Sequence, residues 1–348
     1  KAWLLRVTIN CSRNVFNSSW FKKTTPITED IVFENGDFYI SGDNVVINNL
    51  TIINSKDVDG LSTNSFTNTC TSLAVLEILK YYNIEINNIS VLAGHDGCHF
   101  KHCRNIYIHD SNFSTGDDCV AGYNNRNITV ENCEFNTACS AFRLGATNAL
   151  IQKCHAYGPP KHLMRYILSL EDKIAGVHDV PKDNKWNYML SFYTYFSVSH
   201  YTKDNPGNEN VIIRDCKIEN ADRFLHYNFS GNEPWQSGSP LLDIEFKNIT
   251  AENIRFPITF YADKEKHIEF EMENADITLK EGFEDMPLIH AANFDLISLK
   301  NVNVKNAKGE VLIKKWTDDN NIITENVKFS DDYKLSELQT EEFICRAI

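Results

Sequence analysis

The sequence predicts an all-β fold, a single-domain right-handed parallel β-helix whose solenoid coils each take roughly 20–22 residues. Three observations predict it. A short phrase of polar residue, Asn, alternating apolar residues and a closing Asn or Asp returns along most of the chain. Its best-aligned copies lie about one coil apart, and the chain lacks the helical spacing of about 3.6 residues.

The phrase reads clearly at Asn48-Asn49-Leu50-Thr51-Ile52-Ile53-Asn54 and Asn87-Asn88-Ile89-Ser90-Val91. It continues as Arg104-Asn105-Ile106-Tyr107-Ile108, Arg126-Asn127-Ile128-Thr129-Val130 and, more loosely, Thr147-Asn148-Ala149-Leu150-Ile151. Later copies begin at Glu209, Lys247, Lys300 and Asn320. Asn105 and Asn127 are 22 residues apart, and Asn127 and Asn148 are 21. Short alternating β-branched strands suit a parallel stack in which each strand pairs with its counterpart one coil on, about 4.8 Å away. Leucine-rich repeats share the period, but the leucine frame is missing. The repeated asparagines are expected at turns, where Asn tolerates left-handed backbone and bonds to neighbouring turns.

Residues 1–40 alternate weakly and are expected to form an N-terminal cap or incomplete first coils; residues 41–348 form the solenoid. A stretch at about 158–208 interrupts the pattern with Pro159, Pro160, the run Lys161 to Arg165 and an aromatic run from Tyr188 to Tyr201. It reads as a long loop insertion, of the kind that shapes binding sites on solenoids.

A net charge of -13 argues against nucleic-acid or anionic-membrane partners, and no apolar run reaches the roughly 18 residues of a membrane span. The ten cysteines are spread along the chain; Cys98, Cys119, Cys133, Cys154 and Cys216 fall in apolar strand-like runs and read as small core residues. Unpaired thiols point toward a reducing compartment, although a signal removed ahead of Lys1 would leave no trace. Acceptor triplets at Asn49, Asn88, Asn127 and Asn248 coincide with the turn asparagines and read as unglycosylated.

Three carboxylates share one position of the repeat: Asp96 in Gly94-His95-Asp96-Gly97-Cys98, and Asp117 and Asp118 in Gly116-Asp117-Asp118-Cys119-Val120-Ala121. Their spacing places them on adjacent coils of one face. Like charges packed together raise at least one pKa, so that one carboxyl stays protonated while another serves as base. Glycosidic cleavage needs that division of labour. A turn built on Gly-Asp-Asp, or a Ca²⁺ site, are the competing readings; few further oxygen ligands are evident for Ca²⁺.

Asp96-Gly97 and Asp117-Asp118-Cys119-Val120-Ala121 resemble two motifs of glycoside hydrolase family 28, the polygalacturonases and their relatives, whose pattern runs Asn-Thr-Asp-Gly, Asp-Asp-Cys-Val-Ala, Gly-His-Gly and Arg-Ile-Lys. The resemblance covers roughly residues 45–155. It implies that Asp117 is the general acid, that Asp96 and Asp118 hold and deprotonate water, that the anomeric configuration inverts, and that no metal or cofactor is needed. Ser140 stands at the family's histidine position, with Arg143 nearby, so activity requires that His95, His99 or another group take over the missing polar role. The fourth motif has no literal match. Arg223 and His226, in Ala221 to Asn228, are expected to supply its cationic and donor groups, and Arg143 and Arg223 are the first candidates for binding substrate.

Further along, Trp235 either stacks on a sugar while Glu233 bonds its hydroxyls or caps the core under a loop; His162 and Arg165, with Tyr193 and Tyr195, are expected to close over the cleft and favour exo-action. His178 and His200 lack ligand-like spacing and read as ordinary histidines. The function expected is glycoside hydrolysis of a pectin-type or other uronate-containing poly- or oligosaccharide. The alternatives are a polysaccharide lyase and a non-catalytic glycan-binding β-helix.

Overall fold

The computed structural model describes side chains for residues 82–92, 96–161, 188–197, 208–229 and 239–340, and the backbone of Ala93 and of the strands Ile9–Asn10, Ile31–Phe33, Phe38–Ser41, Val45–Asn54 and Ala74–Leu79. The fold is all-β, with no helix among the described residues and every ladder parallel. The strands Asp96–Lys101, Arg104–His109 and Asn112–Thr115 follow one another in the chain, and each pairs with the segment that repeats it: Val120–Glu131 with the first two, Glu134–Thr137 with the third.

Alternation sends one side chain in two inward, and parallel register piles these into columns. Ile84, Ile106, Ile128, Ala149, Val211, Ile244, Phe270 and Ile297 form one column, all buried. Cys98, Val120, Phe142, Tyr193, Leu225, Ile258, Ile289 and Ile313 form another. Each large apolar side chain so buried contributes about 1.5–3 kcal/mol. Cys98, Cys119, Cys133, Cys154 and Cys216 are buried free thiols, as their place in apolar strands leads one to expect.

The coil length departs from expectation in the second half. It is 22 residues from Cys98 to Val120 and again to Phe142, but 31 to 33 for each step from Tyr193 to Ile289. Loops absorb the excess, because pairing register constrains the strands and leaves the connections free. Within the stretch at about 158–208, Met189–Tyr195 is a strand of the stack, between Ser140–Gln152 and Lys217–Asn228, while residues 162–187 and 198–207 lie outside the described residues. Tyr193 and Tyr195 therefore do not close over a cleft. Their rings are buried, and their hydroxyls donate to the carbonyls of Leu144 at 3.0 Å and Ser239 at 2.7 Å. Phe192, Tyr193, Tyr195 and Phe196, part of an aromatic run that reads as a binding loop, are here the core of a coil.

Asn83, Asn105, Asn127, Asn148 and Asn210 all have φ of 57° or 58°, and each amide after the first donates to the one before it, at 2.8, 2.8, 3.0 and 2.9 Å. A second ladder joins Asp215, Asn248, Asn274, Asn301 and Asn326. A sugar on Asn127 or Asn248 would break these bonds. We expect Asn127→Ala to cost about 1–3 kcal/mol in chemical denaturation and Asn127→Gly distinctly less, because glycine loses the bonds but not the left-handed backbone. Equal losses would refute the conformational part of this account.

Candidate active site

The three aspartates come together through coil-to-coil register. The amides of Gly97 and Cys98 donate to the carbonyls of Asp118 and Cys119, at 2.8 and 2.9 Å, so the coil of Asp118 lies against that of Asp96. The approach is close: a Cβ on Gly97 would stand 2.6 Å from the Cys119 carbonyl oxygen, which is why glycine follows Asp96. One bonding pattern then repeats up the stack. The Asp118 amide donates to Asp96 Oδ1 at 3.2 Å, and the Ser140 amide donates to Asp118 Oδ1 at 3.1 Å. Asp117 is oriented from behind, its carbonyl accepting from Thr115 Oγ1 at 2.6 Å and from the Thr137 hydroxyl.

Arg143, one coil beyond, reaches back over this group. Its Nη2 donates to Asp96 Oδ2 at 3.2 Å and its Nε to Asp118 Oδ2, while the guanidinium lies 4.4 Å from the centre of the Phe196 ring. Arg143 is thus the counter-ion of two aspartates. Burial acts to lower its pKa, but the charges of Asp118 and Asp96 outweigh this and keep it cationic.

All three carboxylates are buried, Asp96, Asp117 and Asp118 being 2, 5 and 1 % exposed. Burial pushes Asp96 well above the ordinary carboxylate range; Arg143 opposes this, and the charges of Asp117 and Asp118 add to it. His99 Nδ1 lies 3.9 Å from Asp96 Oδ2, and burial, helped by Arg143 and Lys101, brings its pKa down to about 3. The imidazole beside Asp96 is therefore neutral, and its Nε2 is buried without a hydrogen-bond partner among the described residues.

Ser140, at the position where the resembled family has histidine, is buried and shares a 3.1 Å hydrogen bond with Thr194. Carboxylate oxygens of Asp117 and Asp118 and the Cys139 sulfur lie within 4.8 Å of one another. Two carboxylates and a thiol, one of the carboxylates already bonded to Arg143, suit poorly the six to eight oxygens of a Ca²⁺ shell.

Arg223 and His226 lie further along the same face. Arg223 is in register with Ser191, itself in register with Ser140, and His226 is in register with Thr194. They are two coils from Arg143 and do not join the aspartates. Both are buried, and burial together with the charge of Arg223 keeps the His226 pKa well below its usual value. His95, His162, Arg165, Glu233 and Trp235, with His178 and His200, lie outside the described residues. One participant escapes sequence reading: Thr194, 54 residues from Ser140. It carries no motif; register alone reveals it.

No family model matches the chain, and no curated protein matches it. Among solved structures it is similar to the hyperthermoactive exopolygalacturonase of Thermotoga maritima, with a TM-score of 0.50 and 12% identity over 84% of this chain and 55% of that one. It is also similar to the family 28 exopolygalacturonase of Yersinia enterocolitica, with a TM-score of 0.41 and 11% identity over 74% of this chain and 45% of that one. The chain spans about half the length of these structures, and the first of them shares its fold.

Proposed function

We propose that this chain is a glycoside hydrolase on a right-handed parallel β-helix, a divergent relative of glycoside hydrolase family 28, cleaving a pectin-type or other uronate-containing poly- or oligosaccharide. The convergence of Asp96, Asp117 and Asp118 on two adjacent coils carries the reading. Asp117 protonates the leaving oxygen, and Asp96 and Asp118 hold and deprotonate the attacking water. Arg143 donates to both of these and opposes the burial that raises the Asp96 pKa. Neutral His99 beside Asp96 is available to donate to a substrate hydroxyl, a role open because Ser140 replaces the family's histidine. The fold shared with an exopolygalacturonase supports the substrate class, and we extend the proposal to action at chain ends.

Oligogalacturonides test the reading. New reducing ends without the ultraviolet absorbance of an unsaturated product establish hydrolysis, and an inverted anomer by NMR establishes the single-displacement route. An unsaturated product would make the protein a lyase. One observation favours a second reading, a glycan-binding protein: Arg143 already neutralises two of the three carboxylates. Binding without turnover across the panel would select it.

A further inference from the structure

Beyond the aspartates, one outward column continues through the stack. Arg143 is in register with Thr194, Thr194 with His226, His226 with Thr259, Thr259 with His290, and His290 with Lys314. Six successive coils place a polar, non-acidic residue at this position, in a chain with 47 acidic residues against 34 Lys and Arg. A carboxylate enters the column again only at Glu337, in register with Lys314. At about 4.8 Å per coil, His290 lies about 19 Å from Arg143 along the stack. It is separate from the aspartate site.

The far end of the column is built to hold something. His290 Nε2 is buried without a hydrogen-bond partner among the described residues, a costly state for a polar atom. Burial, with the charges of Arg223 and Lys314, brings the His290 pKa down to about 3, so its ring is a neutral donor or acceptor flanked by cations. Lys314, on the next coil, makes no ion pair among the described residues. The His290 ring lies 5.6 Å from that of Trp316, tilted by 40°, and Trp316 meets Tyr261 edge-on at 5.6 Å.

We propose that His290 and Lys314, beside the aromatic wall of Trp316 and Tyr261, form a distal subsite that takes the carboxylate of an acidic sugar several residues away from the aspartates. Lys314 supplies the charge and His290 a directional hydrogen bond. The aromatic wall packs against the apolar C–H face of a pyranose. A pyranose ring is about as long as the spacing between coils, so an extended oligosaccharide lying along the column spans both sites. The inference rests on the reading of the substrate as an acidic glycan, but not on its cleavage.

Calorimetry with hexagalacturonate and its methyl ester tests it, using the full chain carrying Asp117→Asn so that the ligand survives. Adding Lys314→Met is expected to weaken hexagalacturonate binding about tenfold or more, and Lys314→Arg to restore most of the affinity. Lys153→Met removes one charge from a solvent-exposed pair with Glu131 elsewhere and is expected to leave the affinity within about twofold. The methyl ester, lacking the charge, should bind the parent no better than hexagalacturonate binds Lys314→Met. Equal affinity with and without Lys314→Met, equal binding of ester and acid, or an equal loss in Lys153→Met would each overturn the subsite. Absence of turnover in the wild type would refute the hydrolase reading and leave this binding result legible.

Discussion

Asp117→Asn is expected to lower the release of reducing ends from oligogalacturonides by about a thousandfold, within the roughly 10²–10⁴ that a positioned acid contributes. Asparagine matches aspartate in shape but has no proton to give the leaving oxygen. The substitution should not disturb the fold, because Asp117 is held by its backbone carbonyl, through Thr115 and Thr137. A leaving group that needs no protonation separates this role from a general loss of function. On a nitrophenyl glycoside of the same sugar, the variant should recover most of the wild-type rate of glycosidic cleavage. Full activity on the natural linkage would sink the aspartate mechanism, and equal loss on both substrates would assign Asp117 a role other than acid.

Arg143→Met is expected to destabilise the protein by about 3–5 kcal/mol at neutral pH, the usual cost of removing one partner from a buried ion pair. Asp96 and Asp118, both almost fully buried, would lose the guanidinium that lies against them. The pH dependence follows from Asp96. Its pKa in the folded chain is raised above the unfolded value, chiefly by burial, so the folded state binds the extra proton and stability declines as pH rises through that window. Without Arg143 the rise is larger and the window extends to higher pH. Chemical denaturation should therefore show the deficit of Arg143→Met shrinking as pH is lowered. A deficit that is constant or grows on acidification would show that Arg143 contributes packing on Phe196 and no charge compensation.

The repeated Asn phrase, legible without coordinates, specifies the parallel stack, because a residue whose side chain bonds its own counterpart one coil on must recur at the coil spacing. The alternation around Ile106, Ile128 and Ala149 likewise assigns the core, since a strand has only two faces. In the same way, 22-residue spacing was enough to place Asp96 against Asp118. Where coils lengthen to 31–33 residues the sequence loses this power, because loops of free length break the count while the strands keep their register. Tyr193 and Tyr195 illustrate the loss: the composition of a loop, but the positions of a core.

What the sequence by itself determined, then, is the repeat, its inward face and the meeting of three carboxylates, all local consequences of period and alternation. Only the tertiary structure decided which cation answers those carboxylates and what else shares their face. Arg143 reaches Asp96 across 47 residues, Ser140 meets Thr194 across 54, and His290 and Lys314 enter the column of Arg143 through pairings that no motif records. Hydrogen bonding and charge act over a few ångströms of space and are indifferent to separation along the chain, so such partners become visible only once the coils are stacked.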